Sequence, residues 1–324
     1  MALMRASIVP FWLALAALWI AGAAALWLYP WPVPPPALVA AAFLLEGSFF
    51  LTLGFPAVIE RLRTFVLLPV AFVASAIAPY CIYSLAAGVF EWRSLAAIAA
   101  LGAMAVYWFR VVPRNGLTDL AFLAIVAVVS LSRVFPNLYA PVDPKLKVDF
   151  LGQMMWRRVA ILSVLAFRPV PGIDLGLVPR RNEWLAGLRE FLYFAPIGAA
   201  LSLSTGFVRF QPLGGEPGRV ILVTVGTFLG MLWFVALTEE FFFRGMLQQW
   251  LSAWFSRPWA GLVMTSLVFG ALHLTFRYPP LNWRFALVAS AAGFFYGRAF
   301  NRGGIRAGMV THALVNVTWR VLFV

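Results

Sequence analysis

The sequence has few of the residue types from which most active sites are assembled. Among 324 residues there is one cysteine, Cys81, and there are two histidines, His273 and His312. A lone cysteine inside an apolar run excludes an intrachain disulfide and any cysteine-based metal site. Chemistry that needs imidazole must use one or both of the two histidine positions. Charge is also scarce. Only 11% of the residues are charged, against about 25% in a soluble domain. The acidic share is small, 12 Asp and Glu against 25 Lys and Arg, so the net charge is +13. No basic cluster is interleaved with surface aromatics, which argues against nucleic acid as a partner. The positive excess fits Arg-rich loops facing anionic lipid headgroups.

Apolar residues are abundant, at 63%, with a mean hydropathy of +0.88. This excludes a soluble single-core enzyme, a disordered chain and a disulfide scaffold. Apolar stretches of spanning length occupy residues 9–29, 37–55, 64–89, 94–112 and 118–132, then 191–207, 220–243, 259–274, 285–300 and 305–324. Backbone groups in lipid must be satisfied internally, and the alternation of a membrane barrel is absent. The expected fold is therefore all-α, a polytopic bundle of about 10 transmembrane helices. An eleventh comes from residues 154–167 if that stretch crosses, despite its Arg157-Arg158 interruption. Otherwise it lies in the interface.

The run from Pro30 to Pro36 and the turn Gly214-Gly215-Glu216-Pro217-Gly218 punctuate the helices. The expected organisation is an N-terminal helical extension over 1–150, a basic linker over 151–183 and a C-terminal core over 184–324. Two topologies satisfy the positive-inside rule. One has the N-terminus inside and 154–167 crossing; the other has the N-terminus outside and 154–167 lying flat. Both put the loops after Phe243 and Phe300 on the cytoplasmic side.

Ionisable groups at membrane depth are functional candidates by default. Glu239-Glu240 closes a strongly apolar helix, four residues before Arg244. At that spacing Glu240 and Arg244 share a helix face and can pair. Glu239 has Phe243 at the same spacing, which leaves its carboxylate for proton transfer. The last helix carries Gly304, Gly308, His312, Asn316 and Arg320 at four-residue spacing on one stripe, where Gly308 allows close helix approach. Gly226-x-x-x-Gly230 and Gly293-x-x-x-Gly297 suit tight helix packing for the same reason. Glu46, isolated in 37–55, reads as a paired structural charge. Taken singly, each polar group also reads as a helix-end charge, a packed histidine or interhelical glue. Together, both histidines, the only Glu-Glu pair and an Asn in register supply a set suited to hydrolysis.

Glu239-Glu240-x-x-x-Arg244, Phe269-x-x-x-His273 and His312-x-x-x-Asn316, in this order on successive apolar stretches, resemble the intramembrane CAAX-protease and bacteriocin-processing (CPBP, or Abi) family. The resemblance covers about 184–324; the first 180 or so residues carry no matching motif. It implies peptide-bond hydrolysis by an activated water inside the bilayer. Glu239 with His273 would bind and deprotonate the water, His312 and Asn316 would stabilise the oxyanion, and Glu240 and Arg244 would brace the site. No serine or cysteine nucleophile is required, and the resemblance fixes no cofactor. Glu239, His273 and His312 could alternatively form a two-histidine, one-carboxylate zinc set. The implied partners are a membrane-associated peptide or protein substrate and the lipid bilayer. The expected location is a bacterial cytoplasmic membrane. A scaffold, sensor or bacteriocin-immunity protein of the same fold is the alternative. A transporter relaying protons through Glu46, Glu239 and Glu240 lacks an evident repeat.

Overall fold

A bilayer offers no water to satisfy backbone polar groups, and the chain meets that constraint with helices. The computed structural model describes residues 8–28, 36–168, 170, 172–276 and 282–323; residues 30–35 of the proline run lie outside them. It is 80% helix, and no strand occurs among the described residues beyond one isolated bridge, Phe210 to Phe323. Two compact units follow each other, Met1–Pro169 and Val170–Val324. The division falls inside the 151–183 stretch.

The first unit holds α1 (Val9–Leu28), α2 (Pro36–Leu51), α3 (Pro56–Arg63), α4 (Leu68–Ala86), α5 (Trp92–Val111), α6 (Gly116–Leu131), α7 (Val134–Leu138) and α8 (Asp149–Phe167). Its core centres on α8, where Trp156, Val159, Ala160 and Ile161 are fully buried. Arg158, which interrupts that apolar run, is buried too. Its Nε and Nη2 donate to the two oxygens of Glu46 at 2.7 and 3.0 Å, and its other donors reach Ser75. A guanidinium fork matched to a carboxylate lets both charges leave water together. This pairing gives Glu46 the structural role its isolation implied, and it ties α8 into the core of the unit. Just beyond α8, Arg168 donates to Asp119 at 2.6 Å, and this hydrogen bond pushes the guanidinium above its ordinary range.

The second unit holds α9 (Arg181–Ser204), α10 (Pro217–Trp254), α11 (Pro258–Leu272) and α12 (Trp283–Leu322). Along α9 the buried positions are Glu183, Gly187, Glu190, Phe194, Gly198 and Ser202, one stripe at three- or four-residue spacing. Gly187 lets α12 come close: a Cβ there would lie 2.7 Å from Val310 and 2.8 Å from the carbonyl of Ala307. Thr311 donates to the Gly187 carbonyl at 2.9 Å.

α12 folds back on itself at Gly304, whose φ of 76° and ψ of −170° belong to glycine alone. The two arms run side by side. Tyr296 lies against His312, and Phe285 and Trp319 both meet Phe207. The sequence stretches 285–300 and 305–324 are these two arms.

Among the described residues, six helices are long and apolar enough to cross a membrane: α1, α2, α4, α5, α8 and α10. The expected figure of about 10 left out α8, the conditional eleventh, and counted the shorter apolar α6 and α11, the charged α9 and each arm of the bent α12. The glycine patterns divide. Added Cβ atoms at Gly226 and Gly230 would meet nothing within 4 Å, so that pair does not sit in a tight helix contact. At Gly293 a Cβ would come within 3.3 Å of the Phe269 ring and 3.4 Å of Arg244.

Candidate active site

The Glu239-Glu240 pair sits in a four-residue α segment, Leu237–Glu240, between two π-helical stretches of α10, Met231–Ala236 and Phe241–Gln248. A π turn holds one residue more than an α turn, which re-aims the side chains that follow, and such turns recur at functional sites. Glu240 and Arg244 still meet. The Glu240 carboxylate lies 3.3 Å from Arg244 Nε, with neither side chain exposed. Arg244 Nη2 donates to the Gly293 carbonyl at 2.9 Å. Its guanidinium is boxed by the rings of Phe243, Phe269 and Tyr296, whose centroids are 5.7, 5.1 and 5.7 Å away. Ring faces attract the cation and exclude water from it.

On the second arm of α12, His312 is placed between the two glutamates. Its Nδ1 lies 2.9 Å from Glu240 Oε1 and its Nε2 3.8 Å from Glu239 Oε2. Gly308, one turn earlier, permits this, since a Cβ there would sit 2.9 Å from Glu240 Oε2. The imidazole plane is fixed by Tyr296 on the opposing arm, stacked at 4.4 Å and 15°. Glu239 is the accessible member of the group, with 28% of its side chain exposed, whereas Glu240 is fully enclosed. A carboxylate on Nδ1 orients the ring and fixes how its other nitrogen is presented.

The remaining predicted residues lie close by with different partners. His273 caps the end of α11, where its Nδ1 donates to the Phe269 carbonyl at 2.7 Å. Phe269 ties the two histidines together, with its ring centroid 4.7 Å from the His273 ring and 5.9 Å from the His312 ring. Asn316 Nδ2 donates to the His312 carbonyl at 3.3 Å, along its own helix. Among the described residues, no group of three or more His, Cys, Asp or Glu is gathered closely enough to hold a metal ion. Glu239, His273 and His312 do not form such a group in this geometry.

Sequence spacing missed two features. Tyr296 carries no motif, and its contact with His312 exists only because α12 doubles back. The contact between Glu240 and His312 joins two motifs and could not be read from the spacing inside either. Gly308 was the available signal for it, a glycine one turn before the histidine.

Residues 221–318 match the family model described as type II CAAX prenyl endopeptidase, Rce1-like. No curated protein and no solved structure matches the chain. The matched span contains Glu239, Glu240, Arg244, His273, His312 and Asn316. Residues 221–318 of this membrane-type helical protein are an Rce1-like domain of the CPBP family of CAAX proteases.

Proposed function

We propose that the protein is an intramembrane endopeptidase that hydrolyses a peptide bond with an activated water. The observation that carries this is the pair of nitrogens of His312, one facing each glutamate. Glu239, the partly exposed carboxylate, takes a proton from the water as its oxygen adds to the scissile carbonyl. His273, whose Nδ1–H is engaged by Phe269, offers Nε2 as an acceptor to the same water. In its imidazolium form His312 donates from both nitrogens, holding Glu240 with one and meeting the oxyanion with the other. Asn316 has a second N–H for that oxygen. The C–N bond then breaks, and the proton held by Glu239 passes to the leaving amine. Glu240 and Arg244 keep His312 in place and touch no reacting atom. We place the protein in a bacterial cytoplasmic membrane, acting on a membrane-associated peptide or protein.

The test compares protein termini in membrane extracts treated with the purified chain and with its Glu239→Ala and His273→Ala variants. The expected result is one or more new termini with the wild-type chain, absent with both variants and still formed in excess chelator. Identical termini in all samples would leave a scaffold of the same fold as the better reading.

A further inference from the structure

The second unit contains an ionic cluster outside the hydrolytic site, at the Gly304 bend. Glu190 is fully buried on α9, yet three guanidiniums approach it. Arg298 Nε is 3.0 Å from Oε2, Arg189 Nε is 3.9 Å from Oε1, and Arg302 Nη1 also contacts Oε1. Neither carboxylate oxygen has a hydrogen-bond partner, so the contacts are ionic rather than matched forks. Three guanidiniums carry about 15 N–H donors, against about four lone-pair sites on one carboxylate. The cluster keeps two positive charges in excess, and Arg298 and Arg302 are 32% and 38% exposed. The planes of Tyr193, Phe294 and Phe295 flank the Arg298 fork at 5.4 to 5.9 Å, so it is partly preorganised.

The neighbouring ions do not cancel this excess. Arg306 lies 2.7 Å from Glu183 and 2.9 Å from Asp174, and Arg180 is 3.1 Å from Asp174. On the outer face of α9, Leu185, Leu188 and Leu192 are exposed on either side of Glu190. Apolar surface therefore runs up to the arginines, which is the arrangement found at headgroup level. The positive-inside rule puts the loop after Phe300 in the cytoplasmic leaflet, where anionic lipids are concentrated.

We propose that Arg189, Arg298 and Arg302 bind the phosphate of an anionic lipid headgroup, with the acyl chains lying along the exposed leucines of α9. The chemistry is bidentate recognition of a phosphate by guanidinium forks. Occupancy of this site is independent of peptide hydrolysis.

The test uses the full chain in vesicles of phosphatidylcholine, alone or with phosphatidylglycerol, with lipid retention read by mass spectrometry of the intact complex. The wild-type chain should retain phosphatidylglycerol in preference to phosphatidylcholine. The Arg298→Gln/Arg302→Gln variant should lose that preference by about 10-fold, as expected for the loss of charge-assisted hydrogen bonds. Glu190→Gln, which frees the forks, should keep or strengthen it, and this variant decides the matter if the arginine variant does not fold. Equal retention in the wild type and the arginine variant, or loss of the preference in Glu190→Gln, would overturn the proposal. A parallel arm adds inorganic phosphate to protein in phosphatidylcholine. Weak or no binding supports a lipid as the occupant, and binding as tight as that of phosphatidylglycerol overturns it.

Discussion

Tyr296 shows how much of a site can rest on a residue that does no chemistry. It meets His312 face to face at 4.4 Å and forms one wall of the box around Arg244. Stacking an aromatic ring is worth about 0.5–1.5 kcal/mol beyond its buried area. Here that energy is spent on holding the imidazole plane between two carboxylates. Tyr296→Phe keeps the stack and should leave turnover within about 2-fold, whereas Tyr296→Ala should lower kcat by about 10-fold, the effect of 1.4 kcal/mol on a rate. KM should not change in either variant, because the substrate is not the partner lost. A parallel rise in KM would mean that Tyr296 lines the substrate path instead. Nothing in the sequence around Tyr296 marks it. Its partner lies 16 residues away across a reversal of the chain, and helical periodicity reports only neighbours within a few turns.

At the scale of elements, the site depends on two glycines of α12 for different reasons. Gly304 supplies a backbone conformation that makes the bend, and Gly308 supplies room for Glu240. Gly304→Ala should cost about 1–3 kcal/mol through backbone strain. Gly308→Ala should cost about 1–3 kcal/mol through overpacking, and it should also displace Glu240 from His312. Thermal unfolding of both variants, measured beside peptide cleavage, separates the effects. Gly304→Ala is expected to retain cleavage in proportion to its folded fraction, and Gly308→Ala to lose more than that.

The two arms were legible as two apolar runs, but Gly304, whose four-residue spacing from Gly308 placed it on the helical stripe, is instead the bend itself. The π stretches of α10 were not legible, since nothing in the residues of Met231–Ala236 and Phe241–Gln248 marks a wide turn. Their wide turns depend on what packs around them. Gly226-x-x-x-Gly230 shows the reverse error, because a small-residue pattern becomes a packing face only if another helix arrives.

At the scale of the whole molecule, acidic charge is placed sparingly, and where it is buried it is paired. The chain has 12 acidic residues, and those enclosed by helices meet arginines: Glu46 with Arg158, Glu183 with Arg306, Glu190 with Arg298 and Arg302, Glu240 with Arg244. The motifs made the last of these pairs legible. The other partners are separated by more than 100 residues of sequence and emerge only when helices pack. Glu239 differs, since its contact is with His312 and its side chain is partly exposed. Each unit thus has a buried glutamate–arginine pair, while the accessible glutamate lies in the Rce1-like domain.

That contrast can be measured by comparing Glu239→Gln with Glu46→Gln. Both remove a carboxylate from an apolar helix. Breaking the buried pair of Glu46 should lower stability by about 3–5 kcal/mol and leave cleavage per folded molecule within about 2-fold. Glu239→Gln should leave stability nearly unchanged and reduce the rate of appearance of new peptide termini by about 10²–10⁴-fold, the range for loss of a general base. Equal losses of cleavage in the two variants, or full cleavage by Glu239→Gln, would contradict the assignment of Glu239 as the group that activates water.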